Sequence, residues 1–98
     1  MNICHYNDML RDELDGASHY IQEAINCKQE HPTWAQKYAE MSANELEHAE
    51  AIMDMFEENF KMENDDSLIA VTAHKAINDM YSEFSSKIKY MHDIYKSK

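Results

Sequence analysis

Two carboxylates and an imidazole lie where a helical chain would bring them together. Glu45-Leu46-Glu47-His48 is a Glu-x-x-His motif, and this spacing puts Glu45 and His48 on one helix face about one turn apart. Glu13 lies on the apolar stripe of the preceding helical segment. Carboxylates with one imidazole suit Fe(II) or Mn(II), whereas structural zinc prefers cysteine and histidine. The sequence therefore predicts a metal site with Glu13, Glu45 and His48 as ligands.

Three long helices are predicted to position these ligands. Gly and Pro occur once each, so turn formers are scarce, and the turn signals fall at Pro32 and across residues 64–67. Pro32 stops the first helix, and Thr33 with Gln36 predicts a capping box for the second. The expected helices are helix 1 over about residues 4–30, helix 2 over about 33–63 and helix 3 over about 67–95. The predicted fold class is all-α, with residues 1–98 in one domain whose first two helices form a long antiparallel hairpin.

The apolar residues form more stripes than a hairpin can bury. In helix 2 one predicted core stripe comprises Trp34, Tyr38, Met41, Glu45, His48, Ile52 and Met55, and the adjacent stripe comprises Ala39, Leu46, Met53, Phe56 and Phe60. In helix 1 the two rows are Leu10, Glu13, Ala17, Tyr20, Ala24 and Cys27, beside Leu14, Ile21 and Ile25. An unpaired carboxylate on such a stripe would cost several kcal/mol of desolvation, so we expect a compensating group.

Pairing of two chains would complete the metal site. In the hairpin the three ligands have axial offsets of roughly 3–8 Å at 1.5 Å per residue, so one centre can reach all of them. Carboxylate-bridged di-iron bundles use a Glu from each of two helices plus two Glu-x-x-His motifs, and one hairpin supplies half of that set. A two-fold axis through the site would supply the other half and bury the spare apolar faces. We therefore expect a homodimer, or a larger assembly of dimers, around two metal ions.

These residues resemble a known family. Asp12-Glu13-Leu14-Asp15 with Tyr20 in helix 1, followed by Asn44-Glu45-Leu46-Glu47-His48-Ala49 in helix 2, resembles the minimal hairpin of the encapsulated ferritins, within the ferritin and rubrerythrin superfamily. The resemblance covers roughly residues 8–58. It implies dimerisation into a ferritin-like four-helix bundle, a di-iron ferroxidase centre at the dimer interface and often a ring-like assembly.

The resemblance also implies a role for each matching residue. Glu13 and Glu45 would be carboxylate ligands, with Glu45 bridging, and His48 would be the imidazole ligand. Tyr20 lies where the family often has an aromatic residue near the centre. Helix 3 is longer than in the encapsulated members, and residues 94–98 contain no apolar, glycine-containing cargo tail. A shell-protein partner is therefore left open.

Charge and composition exclude several classes of function. The net charge of −10 opposes binding to nucleic acid and to anionic membranes. Residues 1–66 hold 4 basic and 16 acidic groups and residues 67–98 hold 5 and 3, so helix 3 is expected to lie against the acidic remainder. The mean hydropathy of −0.74 predicts a soluble protein without a membrane span. Cys4 and Cys27 are too far apart to predict a disulfide, which favours the cytoplasm or a compartment within it.

The predicted function is that of a ferritin-like di-iron carboxylate protein, which binds Fe(II) and oxidises it with dioxygen or peroxide; manganese is the alternative metal. A second reading is a non-enzymatic helical interaction module, in which Glu13 and Glu45 pair with basic groups of a partner or of helix 3, where Lys75 and Lys87 are the candidates. A third is a metal-binding protein without turnover.

Other polar residues are expected to have lesser roles. His19 lies four residues after Asp15 and is a candidate for a hydrogen bond to a ligand, although a surface position is favoured. Glu47 and Glu50 flank the motif, where a solvated face is favoured over metal access. On helix 3, surface or core-edge positions are favoured over a place at the centre for His74, Asn78 and His92.

Overall fold

Three helices account for nearly all of residues 2–97, which the computed structural model describes. They are α1 (Ile3–Cys27), α2 (Pro32–Glu63) and α3 (Leu68–Lys96). Their Cα atoms span 53 × 16 × 16 Å, and no strand occurs between residues 2 and 97. The all-α class and the three helices are thus confirmed. None of the described helices is both long enough and apolar enough to cross a lipid bilayer.

The ends of α1 and α2 differ in detail from the predicted ones. α1 ends at Cys27, earlier than the predicted residue 30, and residues 28–30 form a turn. The capping box predicted at Thr33 is wrong, since α2 begins at Pro32 with His31 as an N-cap whose side chain makes no capping hydrogen bond. Proline suits the first helical position because its fixed φ is helical and its missing N–H would have no helical partner there.

Local hydrogen bonds define the second connection. α2 ends at Glu63, and its C-cap Asn64 has a left-handed φ of 50° and donates its backbone N–H to the carbonyl oxygen of Phe60. Asparagine is one of the few residues that adopt this conformation at low cost. Ser67 then caps α3 by accepting a hydrogen bond of 3.2 Å from the backbone N–H of Ala70. The chain reverses within residues 64–67, so α3 runs antiparallel to α2.

The core lies mainly between α1 and α2, and small residues let the two helices approach closely. In α1 the buried row, with alternating steps of four and three residues, consists of Leu10, Leu14, Ala17, Ile21 and Ala24. In α2 a row with steps of seven residues consists of Ala35, Ser42, Ala49 and Phe56, flanked by Ile52 and Met53. The prediction that the stripe from Trp34 to Met55 is core is wrong for most of its members within one chain. Trp34 is 57% exposed and Met55 is 51% exposed.

α3 covers one side of the hairpin and lies closer to α1 than to α2. Its buried residues are Ala70, Ile77, Ser85 and Ile88. Near the end of the molecule, the ammonium group of Lys28, the residue that follows α1, donates to the backbone oxygens of Tyr95 and Ser97. The C-terminal third therefore lies along an acidic hairpin, as its charge predicts, while the other side of the hairpin stays uncovered.

A polar cluster joins α3 to α2 near the second connection. Nε2 of His74 lies 2.9 Å from both carboxylate oxygens of Glu57, and Nδ2 of Asn78 donates to Oε1 at 2.9 Å. The His74 ring also stacks on Phe60, with 4.1 Å between ring centroids. Partial burial opposes ionisation of Glu57, but the hydrogen bonds from His74 and Asn78 outweigh it and lower the pKa of Glu57 below its ordinary value.

This cluster predicts an acid-sensitive contribution to stability. Because its pKa is lowered by folding, ionised Glu57 stabilises the fold above the ordinary glutamate range, and the stabilisation is lost as the pH falls through the lowered pKa. Glu57→Gln should therefore lose less stability between about pH 5.5 and about pH 3 than the native chain, measured by urea unfolding. Glu58→Gln, at an exposed neighbouring position, is the control. Parallel pH profiles for the native chain and Glu57→Gln would contradict the prediction.

Candidate metal centre

The structure brings the three predicted ligands together across the seam between α1 and α2. Glu13, Glu45 and His48 each offer one ligand atom, and these atoms lie within 4.8 Å of one another. Nδ1 of His48 is 3.4 Å from Oε2 of Glu13. Within residues 2–97 this is the one group of at least three such side chains with this proximity. The antiparallel hairpin brings Glu13 of α1 level with the Glu-x-x-His turn of α2.

Gly16 makes room for one of the carboxylates. A Cβ atom at this position would lie 3.3 Å from Oε2 and 3.5 Å from Cδ of Glu45. Glycine in a helix interior costs about 1 kcal/mol relative to alanine. The chain has one glycine, and it lies in the middle of α1 at the level of the metal ligands. A glycine at this unfavourable position in a helix was the sequence signal for a close contact there. The prediction of the site did not include Gly16.

The two carboxylates are held together with little compensation. Oε2 of Glu13 is buried and has no hydrogen-bond partner among residues 2–97. The pKa of Glu45 is raised above its ordinary value, chiefly because a hydrogen bond between its carboxyl group and that of Glu13 requires a proton. Burial and the negative charge of Glu13 act in the same direction, and His48 opposes them. A bound cation would replace this proton and supply a partner for the buried oxygen.

The cluster is accessible from the uncovered side of the hairpin. The side chain of His48 is 61% exposed and that of Glu13 is 26% exposed. We call this side the open face, and it consists of Met9, Glu13, Gly16 and Tyr20 of α1 with Trp34, Tyr38, Met41, Glu45, His48, Ile52, Met55 and Asn59 of α2. On the wheel of α2 these residues lie away from Glu57, which contacts α3. Among the apolar side chains of this face, Trp34, Met41 and Met55 are exposed in the described chain, whereas Ile52 is buried in its core.

The remaining predicted residues fall into two groups. Tyr20 lies on the open face, where its ring stacks on Tyr38 with 6.3 Å between centroids, and His19 packs beside Tyr20 with its own side chain exposed. Glu47 and Glu50 are exposed, as a solvated face requires. His74 and Asn78 contact Glu57 and take no part in the cluster.

The lysines proposed for the interaction module lie elsewhere. Lys75 pairs with Asp79 at 2.6 Å, and Lys87 pairs with Glu83 at 3.4 Å, both within α3. These pairs have i, i+4 spacing, which brings the partners together on one side of their own helix. The prediction that Lys75 or Lys87 neutralises Glu13 and Glu45 within the chain is therefore wrong.

A buried serine connects all three helices next to the cluster. The Ser42 hydroxyl, which is fully buried, donates to the carbonyl oxygen of Ala17 at 2.7 Å and lies 2.9 Å from Nε2 of His92. Since its single proton points to Ala17, Nε2 of His92 must carry the hydrogen of the second bond. Burial, followed by the positive charge of Lys96, lowers the pKa of His92. Ser42 lies one turn before Glu45, so it fixes the spacing of α1 and α2 where the ligands meet.

Removing the Ser42 hydroxyl should therefore weaken the whole bundle. Ser42→Ala leaves the part-buried N–H of His92 without its acceptor and removes a buried hydrogen bond to α1, so it is expected to lower the free energy of unfolding by about 1–3 kcal/mol, measured by urea denaturation. Ser86→Ala, at an exposed position on α3, should change it by less than about 0.5 kcal/mol. Equal effects of the two substitutions would contradict the proposed role of the buried hydroxyl.

Comparison of the chain with family models, with curated proteins and with solved structures finds no match. The function of the centre is therefore inferred from its own residues and from the face on which they lie.

Proposed function

We propose that the chain is a ferritin-like di-metal carboxylate protein that binds Fe(II) between two copies and oxidises it, with Glu13, Glu45 and His48 of each copy as ligands. The buried oxygen of Glu13 without a hydrogen-bond partner, close to ligand atoms of Glu45 and His48, is the observation that carries the proposal. A buried charge of this kind is costly unless a cation or proton neutralises it.

The donor chemistry favours iron or manganese over other common metals. Two carboxylates and one imidazole per chain form a hard, mixed oxygen and nitrogen set without a thiolate. The two cysteines lie elsewhere, since Cys4 is exposed at the start of α1 and Cys27 is at its end. Fe(II) is the proposed metal and substrate, and Mn(II) is the alternative that the same donors would hold.

Each side chain has a distinct electrostatic role. Glu13 and Glu45 supply negative charge that reduces repulsion between two cations and favours the more highly charged ferric product. His48 supplies a directional nitrogen donor from the exposed edge of the cluster. The acidic excess of residues 1–66 would raise the local concentration of cations. When bound, two Fe(II) ions would supply one electron each, reducing dioxygen with two protons to hydrogen peroxide, or hydrogen peroxide with two protons to water.

The open face supports a site shared between two copies. One chain offers three ligands, and His48 projects toward solvent on a face that also exposes Trp34 and Met55. A second copy against this face would contribute three more ligands and bury those apolar side chains. Two such hairpins make the four-helix arrangement in which a Glu from each of two helices and two Glu-x-x-His motifs surround two ions.

Anaerobic titration with Fe(II) tests the metal site directly. The native chain should bind about one iron per chain in a species with at least the mass of a dimer, and air should then produce an oxo-ferric absorption band in the near ultraviolet. Glu45→Gln should abolish tight binding, and the metal-free variant should melt at a higher temperature because a crowded carboxylate has been removed. Sedimentation, iron analysis and thermal melting give the three readouts.

Glu47→Gln is the matched control for this titration. It removes an exposed carboxylate of the same motif that lies outside the cluster, so it should keep full stoichiometry. Equal iron binding by Glu45→Gln and the native chain would refute the assigned ligands. Stoichiometric binding without oxygen consumption would overturn the oxidase activity and select a metal-binding protein without turnover.

A second variant separates ligand placement from fold stability. Gly16→Ala should raise the melting temperature of the metal-free protein, because alanine favours the helix by about 1 kcal/mol over glycine. The new methyl group would also shift the Glu45 carboxylate by a few tenths of an ångström, so the affinity for Fe(II) or Mn(II) should fall about threefold or more. Isothermal titration with Mn(II) in the absence of oxygen measures this change. Unchanged affinity in a more stable variant would show that Gly16 plays no part in placing the ligand.

A further inference from the structure

The first turn of α3 is apolar and exposed. Residues 68–71 read Leu-Ile-Ala-Val, and the turn contains no acidic residue, although acidic side chains are favoured at this end of a helix. Leu68 is 82% exposed, Ile69 is 83% exposed and Val71 is 48% exposed, whereas Ala70 is buried. Packing against α1 and α2 therefore does not explain why three of these side chains are apolar. Such a cluster is unfavourable in water unless a partner covers it.

A groove lies beside this turn, between the end of α2 and the start of α3. Its volume is about 290 Å³, and its lining residues are Phe60, Lys61, Asn64, Asp65, Asp66 and Val71. Phe60 and Val71 supply the apolar part of the lining, and Leu68 lies one helical turn before Val71. Pockets for small ligands have volumes of roughly 300–1,000 Å³, so this groove has room for one or two side chains.

The charge around the groove determines which kind of partner it suits. Asp65 and Asp66 lie on the side of the connection, and Lys61 lies on the side of α2. Hydrogen bonds from Ser67 lower the pKa of Asp65, so its carboxylate stays ionised well below neutral pH. The net charge of the chain, −10, adds to this negative potential. The groove is therefore expected to attract a cationic group and to repel anionic lipid.

The size of this end of the molecule favours a short segment over a second copy of the chain. Across the long axis the Cα atoms span 16 × 16 Å. With side chains included, the end of the bundle presents roughly 400 Å², since a helix is roughly 10–12 Å in diameter. Each partner in a standard interface buries roughly 800 Å². Two copies docked end to end would bury too little surface and would bring their acidic residues together.

We infer that this end of the bundle is a docking site for a short segment of another protein, in which an apolar side chain adjoins a lysine or arginine. The apolar side chain enters the groove against Phe60 and Val71 and covers Leu68. The basic side chain pairs with Asp66 at the edge of the groove. This site does not include the metal ligands, so it is independent of the proposed function.

Peptide titration followed by NMR tests the site on the nitrogen-labelled native chain. The probe is a synthetic peptide with blocked ends, Gly-Ser-Lys-Leu-Leu-Lys-Ser-Gly. It should shift the backbone amide signals of residues 60–71 in a saturable manner, with a Kd below about 1 mM. A peptide with glutamates in place of the lysines, and one with serines in place of the leucines, should each bind about fivefold more weakly or worse.

Two variants of the chain test the assigned contacts. Leu68→Ser should weaken binding of the probe about fivefold or more, because it removes apolar surface beside the groove. Met62→Ser is the matched control, since Met62 is 77% exposed but does not line the groove, and it should bind the probe like the native chain. Asp66→Asn should weaken binding about twofold or more at low salt, and the difference should disappear at high salt.

Three outcomes would overturn the inference. One is the absence of a saturable shift in residues 60–71 at up to about 5 mM probe. Another is equal binding of the probe by Leu68→Ser and the native chain, or shifts spread along the acidic helices instead of this end. The third is sedimentation of the native chain with phosphatidylcholine vesicles that Leu68→Ser loses and Met62→Ser keeps, which would assign the apolar turn to a lipid surface.

Discussion

The candidate site depends on holding two like charges together across the seam between α1 and α2. Glu13 and Glu45 repel each other, so the packing of the helices must supply the stabilisation that keeps them close. Large side chains such as Leu14 and Phe56 provide it, since a fully buried residue of this size contributes about 1.5–3 kcal/mol. Small residues at the same level determine the spacing, because Gly16 leaves space for a carboxylate and Ser42 bonds to the backbone of α1.

The position of α3 determines which side of the hairpin is available to a partner. α3 is held by the Glu57, His74 and Asn78 cluster at one end of its path and by the Ser42 to His92 bond near the other. These contacts use directional hydrogen bonds where apolar contact with α2 is sparse, and they fix α3 on the side away from the ligands. On the opposite side of the hairpin, Trp34, Met41 and Met55 remain exposed. A site shared with a second copy would require such an uncovered side.

Metal binding and stability are expected to be coupled in this architecture. Without a cation, the cluster holds a buried Glu13 oxygen that has no hydrogen-bond partner among residues 2–97, with Nδ1 of His48 3.4 Å away, and it holds Glu45, whose pKa is raised. A ligand that binds only the folded state stabilises it by mass action, and a cation would also remove the repulsion. In the proposed dimer the same event joins two copies, so folding, assembly and metal loading reinforce one another. If the chain binds metal as proposed, Gly16 and the two acids would thus reduce the stability of the metal-free chain in favour of a prepared site.

The sequence by itself determined the helical class, the two connections and the group of Glu13, Glu45 and His48, because helical spacing and a short antiparallel connection constrain which residues share a level. Only the tertiary structure decided which stripe of α2 is core. The rows from Trp34 to Met55 and from Ala35 to Phe56 are both regular, and burial depends on the side from which α1 and α3 approach. The roles of Gly16 and Ser42 likewise required the fold. Both roles depend on the distance between α1 and α2, and the periodicity of the sequence does not specify that distance.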